Sequence, residues 1–380
     1  MSWFGFGFNG FGQIRPADVS GKVNCKVSTP VLISDLCGSE WRISACWSSR
    51  ACVIHTDSGS HVCVSGFVCG SSGQVHEEII PESQGCTNAS ISERYLTLRF
   101  TDRVECWEIR HPQNNLVWRR EQGPSQNSHA LALPLVPDGY VIPRSPFFCP
   151  LSPKLCAVSL ALGTEHAVLL TASGTVFTWG SGSHGQLGHG ALTSQEEPQV
   201  LEALWGVPIT EVSAGGWHSA SVSAGGDLYM WGWNESGQLG LPSKSLKEEK
   251  LRRTGNTESV LNEGEEKSKD EDEVFISIQA FPALVDVPHV TEIIRVCCGS
   301  RHTAAITGSG DLYTWGWGQY GQLGHASENS TDEPKLVEYF HSQDMCVKDV
   351  ICGLWNTFVF AVSKKQSLTT ARLQDKSLLS

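Results

Sequence analysis

The most prominent candidates for chemistry in this sequence are three histidines with nearly identical sequence contexts, His166, His218 and His302. Histidine binds metals and transfers protons near neutral pH. Here each histidine heads a similar stretch, so the three are expected at equivalent points of successive units rather than around one metal ion or substrate, unless they line a central channel. We therefore predict partly buried structural histidines that are each bonded to a neighbouring unit.

Other catalytic signatures are missing from the sequence. It contains no His-Glu-x-x-His, Gly-x-Ser-x-Gly or phosphate-loop pattern. The 14 cysteines include no Cys-x-x-Cys pair, which argues against zinc. The glycines between Gly5 and Gly12 suggest a nucleotide loop, but no βαβ pattern follows them. The sequence thus predicts no catalytic residues, no metal, no cofactor and no enzymatic activity.

The histidines belong to a repeat that occurs at Gly163–Gly188, Gly215–Gly240 and Gly299–Gly324. An apolar run follows each histidine, then a Gly-containing turn, a run ending in Trp-Gly, and a Gly-Gln-Leu-Gly loop, which together predict a β-hairpin and a shaped loop. The tryptophan offers an apolar face to a neighbouring unit. The residues predicted to be repeat scaffold are His166, Trp179, Gly180, His218, Trp231, Gly232, His302, Trp315 and Gly316.

Two half repeats occur near the ends of the sequence. Asn356 stands in the histidine position of a copy that stops before any Trp-Gly pair. Residues 6–14, FGFNGFGQI, align without gaps on the second half of the repeat at 231–239. The two halves would complete one unit in a closed ring, which removes exposed sheet edges. We therefore expect residues 1–15 and 350–363 to share the closing unit.

This pattern, Gly-x-x-His followed by Gly, Trp-Gly and Gly-Gln-Leu-Gly, resembles the regulator of chromosome condensation repeat family. The resemblance implies an all-β fold, a seven-bladed β-propeller over residues 1–363 as a single domain. It is clear over residues 155–240 and 274–324, again over 1–15, and weak over 16–150. The short length and the split first repeat are similar to small vertebrate members that are a propeller and little else.

Residues 16–150 must hold the remaining blades if the ring has seven. Each candidate blade is a pair of short runs enriched in β-branched or apolar residues around a polar turn, without the Gly-Gln-Leu-Gly loop. The three predicted hairpins lie within residues 42–66, 92–107 and 129–142.

Two polar segments lie outside this pattern. Residues 242–273 lengthen one repeat spacing and mix acidic and basic side chains with no apolar period, which predicts a disordered acidic insert in a surface loop. A partner-docking arm is the alternative for this insert. Residues 364–380 are expected to form a flexible tail.

Charge and composition bear on the partners. The net charge is −12, and no block of Lys or Arg occurs, so direct DNA binding is not expected. No apolar run is long enough to span a membrane. The N-terminus lacks a basic leader, and the many cysteines then indicate buried thiols in a reducing compartment.

The strip Pro143-Arg144-Ser145-Pro146 could present a side chain to a partner. Residues before proline avoid the helical region, so we expect Arg144 to be held extended between two prolines, in what is most simply a connector between blades. A second interpretation is a peptide offered to a partner enzyme's cleft, with Arg144 read or modified there. Ser145, followed by proline, alternatively fits a proline-directed phosphorylation site.

The resemblance and the charge together predict a non-enzymatic protein-binding scaffold, a monomer in the nucleus or on chromosomes with a further pool in the cytoplasm. Its partners would be proteins: a chromatin-modifying enzyme, histones or a small GTPase. The role would be to recruit or regulate that enzyme and to influence chromosome behaviour in mitosis. The alternative is a guanine-nucleotide exchange factor for a Ran-like GTPase, which is the activity of the founding family member. A cytoplasmic adaptor in ubiquitin or trafficking assemblies is a third possibility.

Overall fold

The strands of the chain form seven antiparallel sheets in the computed structural model, which describes residues 1–16, 23–33, 41–56, 59–68, 77–110, 113–122, 131–253 and 274–364. The first two strands, β1 (Ser2–Phe8) and β2 (Lys26–Leu32), join the last sheet of the chain. The sheets are called blades 1–7 here, counted from the third strand.

The weakly repetitive region supplies blades 1–3. Blade 1 holds β3 (Trp41–Ala45), β4 (Ser49–Thr56), β5 (Gly59–Gly66) and β6 (Glu78–Ile80). Blade 2 holds β7 (Asn88–Ile91), β8 (Tyr95–Arg99), β9 (Arg103–Glu108) and β10 (Asn115–Glu121). Blade 3, within the described residues, holds β11 (Leu135–Val136), β12 (Gly139–Val141) and β13 (Phe148–Pro150).

The clear repeats supply blades 4–6. Blade 4 holds β14 (Ala157–Leu162), β15 (His166–Thr171), β16 (Val176–Gly180) and β17 (Gln195–Val200). Blade 5 holds β18 (Ile209–Ala214), β19 (His218–Ser223), β20 (Leu228–Trp233) and β21 (Ile278–Leu284). Blade 6 holds β22 (Ile293–Cys298), β23 (His302–Thr307), β24 (Leu312–Gly316) and β25 (Thr331–Leu336). The helices are α1 (Lys244–Arg253) and α2 (Glu338–Ser342), with short 3-10 turns at Pro81–Ser83, Pro153–Leu155 and Glu202–Leu204.

Blade 7 closes the ring, as the two half repeats predict. It combines β26 (Met345–Cys352) and β27 (Asn356–Ser363) with β1 and β2 in the order β2-β1-β27-β26. The β1–β27 register pairs Gly7 with Asn356 and Ser2 with Ala361. The predicted seven-bladed β-propeller with a blade shared between the two ends of the chain is confirmed.

The strands of a four-stranded blade run outward from the centre in chain order, or in the order β26, β27, β1, β2 in blade 7. The innermost strands contact their counterparts in the next blade, as β14 does with β18 and β18 with β22. Because consecutive strands are antiparallel, the connections between the first and second and between the third and fourth strands lie on one face. We call it the upper face, and the opposite one the lower face.

The core lies between blades rather than inside them, because a single sheet has nothing to cover its two faces. The buried apolar side chains of the described residues form seven clusters, and each cluster joins two neighbouring blades. Phe6 of blade 7 packs with Ile306 and Phe340 of blade 6 in one such cluster. The smallest of these clusters within the described residues joins blades 2 and 3 through the buried residues Val104, Val136 and Val141.

Two of the three predicted degenerate hairpins are present as β4–β5 and β8–β9. The third is displaced: residues 131–133 are not a strand, and the pairing begins at Leu135–Val136. Pro134 lacks a backbone N–H and interrupts any ladder that would extend through it. Residues 129 and 130 lie outside the described part of the chain.

The segment expected to be a disordered insert is helical at its start, where Lys244–Arg253 forms α1. The segment is rich in helix-favouring Leu, Lys, Glu and Arg. Leu246 is buried, and Asp332 of blade 6 anchors the helix start by accepting a 2.9 Å hydrogen bond from the Ser243 N–H. Asp332 also lies 3.4 Å from Lys250 Nζ. Residues 254–273, and 365–380 of the expected tail, lie outside the described residues.

Ring closure can be tested at Phe6. We expect Phe6→Ala to lower the free energy of unfolding by roughly 3–5 kcal/mol, because it empties a fully buried site at the seam of blades 6 and 7. Phe8→Ala removes the same ring from the partly exposed end of the same strand and should cost clearly less. Thermal and urea unfolding of the two variants would measure the difference. Equal losses would contradict the idea that closure depends on this seam.

Candidate functional site

The three repeat histidines lie at the seams between blades. His166 Nε2 is 2.8 Å from Ser219 Oγ of the next blade, and Ser219 Oγ donates in turn to the Gln186 carbonyl at 2.8 Å. Since the single hydroxyl proton goes to that carbonyl, Ser219 must accept from a protonated Nε2. The same relay recurs as His218–Thr303–Gln238 and His302–Thr357–Gln322.

Burial fixes the charge of these histidines. It lowers the pKa of His166 to about 4, and the pKa values of His218 and His302 to about 3. All three imidazoles are therefore neutral at pH 7. Their Nε2 atoms are hydrogen-bonded to hydroxyls on successive blades. Within the described ranges, no group of three or more His, Cys, Asp or Glu side chains could hold a metal ion. The geometry gives them a seam role rather than a shared site.

The repeat tryptophans make the second seam contact. Trp231 Nε1 donates to the Gln186 carbonyl at 2.9 Å, and Trp315 Nε1 donates to the Gln238 carbonyl at 3.0 Å. Each carbonyl thus accepts from both an indole and a hydroxyl of the next blade. Trp179 faces blade 3, which has no Gly-Gln-Leu-Gly loop, and its Nε1 is instead 3.3 Å from Tyr140 Oη.

The glycine after each repeat tryptophan is required by close backbone approach. Gly232 has φ of 109°, and a Cβ there would lie 2.5 Å from the Trp217 carbonyl oxygen. Gly180 and Gly316 adopt the same left-handed conformation, with φ of 106° and 101°. Gly66 of the degenerate blade 1, with φ of 112°, keeps this feature without a preceding tryptophan.

A cluster of partly exposed aromatic rings crosses the upper face of blades 1, 7 and 6. Neighbouring ring centroids in it lie 5.0–6.3 Å apart, mostly in edge-to-face geometry. Phe67 is the most exposed, with 43 % of its surface accessible. We call this cluster the aromatic arc; its members are Phe8, Phe11, Trp47, Phe67, Trp317, Tyr320 and Trp355.

A second aromatic group extends this surface onto blade 5. Trp217 and Trp233 are perpendicular at 5.5 Å, and His184 of blade 4 contacts both rings. The Arg301 guanidinium of blade 6 lies 4.5 Å from the centroid of Trp233. Arg301 also accepts a backbone hydrogen bond from Trp317 of the arc. Aromatic side chains therefore mark the upper face of four consecutive blades.

The repeat pattern contains a signal for these residues. The residue after the kinked glycine is aromatic in four blades, as Phe8, Phe67, Trp233 and Trp317. The residue before the histidine position is tryptophan in two blades, as Trp217 and Trp355. Comparing the variable positions between repeats would have found them, because side chains at equivalent positions of a ring emerge on the same face.

The Arg144 strip is a turn inside blade 3, not the predicted connector between blades. It joins β12 to β13, and the Phe147 N–H donates to the Arg144 carbonyl at 2.6 Å, so the chain reverses there. Residues 143–146 are exposed on the upper face. Arg144 also borders a cavity of about 510 Å³ that reaches Tyr140 and Glu165. By blade order, this turn lies across the channel from the aromatic arc.

These features give the upper face the physical character of an interaction surface. Backbone turns hold the upper-face side chains on strands that are locked at the seams, and a rigid aromatic surface is typical of protein interfaces. Arg144 and Ser145 are both exposed, as docking or modification would require. No helix within the described residues has the length and apolar character to cross a membrane.

Comparison with known proteins decides the family. The model of the "Regulator of chromosome condensation (RCC1) repeat" matches residues 173–222, 225–306 and 309–360. A human protein named RCC1 domain-containing protein 1 is 41 % identical over 96 % of this chain and 98 % of its own length. Its mouse counterpart is 43 % identical with the same coverage. The chain belongs to the RCC1 repeat family.

A second RCC1 repeat model matches residues 157–186, 209–238 and 293–322, so both sets of matches fall on blades 4–7. The structure of Prp20p from Saccharomyces cerevisiae, studied for its binding to Gsp1p and histones, superposes with a TM-score of 0.66. The superposition covers 99 % of this chain and 95 % of the Prp20p chain. Because the two sequences are only 16 % identical, this similarity shows the fold alone. The predicted family resemblance is confirmed.

The RCC1 histidines predict a pH-dependent stability. Their pKa values rise on unfolding to about 6.5, so the unfolded chain binds more protons below that pH, and stability should fall from pH 6.5 towards pH 4. At pH 5, each histidine should lower the free energy of unfolding by about 2 kcal/mol relative to its value at neutral pH. Thermal unfolding between pH 7.5 and 5 would measure the loss.

Blade 7 suggests the matched control, because Asn356 already occupies the histidine position there. His302→Asn lowers stability at pH 7.5 by removing the bond to Thr357, but it should lose less than the parent on acidification. An equal loss in the variant and the parent would show that the seam histidines do not carry the pH dependence.

Proposed function

We propose that this propeller is a non-enzymatic protein-binding scaffold in the nucleus that associates with chromatin. It recruits or regulates a chromatin-modifying enzyme and thereby influences chromosome behaviour in mitosis. The observation that carries this proposal is the aromatic surface on the upper face, formed by the arc and by the Trp217–Trp233 pair.

The aromatic arc has the physical properties of a binding surface. Its rings are large, have few rotatable bonds and are already fixed by mutual contacts, so little side-chain entropy remains to be lost on binding. Tyr320, for example, contacts Phe8, Trp317 and Trp355. Such aromatic anchors often dominate the energy of protein interfaces. A folding role alone would not require them to remain partly exposed.

Charge favours a protein partner over bare nucleic acid. The chain carries a net charge of −12, so the phosphate backbone of DNA would be repelled. The exposed aromatic faces attract arginine and lysine side chains through cation–π contacts, and Arg301 over Trp233 is an internal example. A protein that carries cationic side chains would therefore complement this face.

The nuclear setting rests on relatives. The RCC1 repeat model is described by its link to chromosome condensation. The yeast neighbour with the same fold was studied for binding to histones and Gsp1p. These similarities support a chromatin-associated role and leave the partner to be identified by experiment.

Arg144 is proposed as a second contact with the same partner. Its turn rises from the same face, and the adjacent cavity leaves space for a partner group. A modifying enzyme could also grip the exposed guanidinium in its own cleft, in which case Arg144 is a modification target. Ser145 remains the alternative target in the turn, as a proline-directed phosphorylation site.

Nucleotide exchange on a Ran-like small GTPase is the alternative function, and the fold shared with Prp20p favours it. Release of a fluorescent guanine nucleotide from a panel of purified small GTPases would test it directly. Acceleration by the full chain at catalytic concentrations would replace the scaffold proposal. Unchanged release rates across the panel would remove the alternative.

Removal of arc residues should weaken partner binding strongly. We expect Tyr320→Ala/Trp355→Ala to reduce capture of chromatin-modifying enzymes from cross-linked nuclear extract at least tenfold, because loss of two hot-spot rings costs about 2 kcal/mol or more. Quantitative mass spectrometry would measure the capture. Trp205→Ala is the control, since Trp205 is 78 % exposed on the lower face. Equal capture by both variants would exclude the arc as the docking surface.

Arg144→Ala tests the second contact. We expect the affinity for the captured partner to fall roughly thirtyfold, while the free energy of unfolding changes by less than about 0.5 kcal/mol, because the side chain is exposed. Lys154→Ala removes an exposed cation on the lower face and should leave affinity unchanged. If Arg144→Ala retains full affinity, the turn is only a hairpin connection.

A further inference from the structure

Two cysteines on neighbouring blades lie together beside the central channel. Cys297 is on β22, the innermost strand of blade 6, and Cys352 ends β26, the innermost strand of blade 7. Both residues are partly exposed, unlike the buried Cys298 beside them. Cys352 also lines the cavity at the upper mouth of the channel, which gives small solutes a route to this residue.

Two hydrogen bonds join the two cysteines directly. The Cys352 backbone N–H donates to Cys297 Sγ at 3.1 Å. The Cys352 thiol in turn lies 3.3 Å from the Cys297 carbonyl oxygen, to which it donates. Each sulfur therefore lies against the backbone of the other cysteine, so the two side chains are direct neighbours across the seam.

The surroundings make the two thiols unequal. The neighbouring Cys352 side chain lowers the pKa of the Cys297 thiol, together with the backbone N–H of Cys352 and the nearby Arg295. Burial raises the pKa of Cys352 well above its usual range. Cys297 is thus the better nucleophile, and Cys352 is placed to resolve an oxidised Cys297.

We propose that Cys297 and Cys352 form a reversible redox pair, in which a hydroperoxide joins blades 6 and 7 through a disulfide bond. This inference is independent of the proposed scaffold function. In a reducing compartment the pair stays as two thiols, and it closes only during transient oxidation, as is usual for intracellular disulfides.

The reaction has two balanced steps. The Cys297 thiolate attacks one oxygen of hydrogen peroxide, the O–O bond breaks, and Cys297 becomes a sulfenic acid while hydroxide leaves and takes up a proton. Cys352 Sγ then attacks Cys297 Sγ, the S–OH bond breaks, and a second water forms from the departing hydroxide and the Cys352 proton. Two thiols lose two electrons, and one peroxide becomes two waters.

The disulfide would reinforce the seam that completes the ring. The buried contacts between blades 6 and 7 include Phe6 of the N-terminal strand, so this seam also holds that strand in place. A covalent link between the innermost strands restricts the unfolded chain and should stabilise the folded ring. A dithiol reductant reverses the link by thiol–disulfide exchange.

The test uses the full chain treated with a small excess of hydrogen peroxide, then alkylated and digested without reduction. We expect mass spectrometry to find a cross-linked Cys297–Cys352 peptide that dithiothreitol removes. The oxidised protein should melt on the order of 5 °C higher than the reduced protein. Absence of this peptide from the folded protein, or a melting temperature that does not rise, would overturn the proposal.

Single variants separate the pair from general thiol oxidation. In Cys352→Ser, dimedone should trap a sulfenic acid on Cys297, because the resolving thiol is gone. Cys297→Ser should yield neither the adduct nor the stabilisation. Cys156→Ser removes an exposed cysteine elsewhere and should behave as the parent does. A peroxide-induced shift that survives Cys297→Ser would assign the effect to other thiols and refute the pair.

Discussion

A propeller blade is a small sheet with two apolar faces, and only its two neighbours can cover them. The seam between blades is therefore the unit on which this molecule depends. Each seam has an apolar cluster, and the seams between blades 4 and 5 and between blades 5 and 6 add one carbonyl that accepts from an indole and from a hydroxyl. A buried polar group without a partner would cost more than most single contacts provide, so the relay through His218, Thr303 and Gln238 must form as a unit.

The seam also explains how the ring tolerates weak repeats. Blade 1 carries Arg50 where blades 5, 6 and 7 carry Ser or Thr, and its guanidinium bonds to Ser65 and Glu77 instead of completing a relay. Trp179 similarly bonds to Tyr140 where the preceding blade lacks the carbonyl loop. Apolar packing is retained in each case, because it depends on volume and coverage rather than on one pairing geometry.

Rigid seams leave the upper face available for recognition. The repeat fixes the kinked glycine, and the next side chain emerges on that face whatever its type. Serine occupies this position in blade 4, whereas Trp233 and Trp317 occupy it in blades 5 and 6. The same scaffold can therefore carry different surfaces, and the aromatic arc is the surface of this chain. The turn at Arg144 adds a cationic side chain across the channel.

The sequence by itself determined the ring, because ungapped spacing of His, Gly, Trp-Gly and Gly-Gln-Leu-Gly sets the blade, and two half repeats require closure. It also indicated that His166, His218 and His302 are structural, since equivalent positions in an array cannot meet. The hydrophobic pattern missed the break at Pro134 and the helix at Lys244–Arg253, where a single proline and a contact to Asp332 decide the outcome.

Only the tertiary structure decided which residues from different blades meet. The aromatic arc joins residues as distant in sequence as Phe8 and Tyr320, and the thiol pair joins Cys297 with Cys352. Such contacts depend on the angle and distance between neighbouring blades, which the packing of the whole seam sets. A periodic sequence specifies each unit, whereas the neighbours of a variable side chain are specified only once the ring has closed.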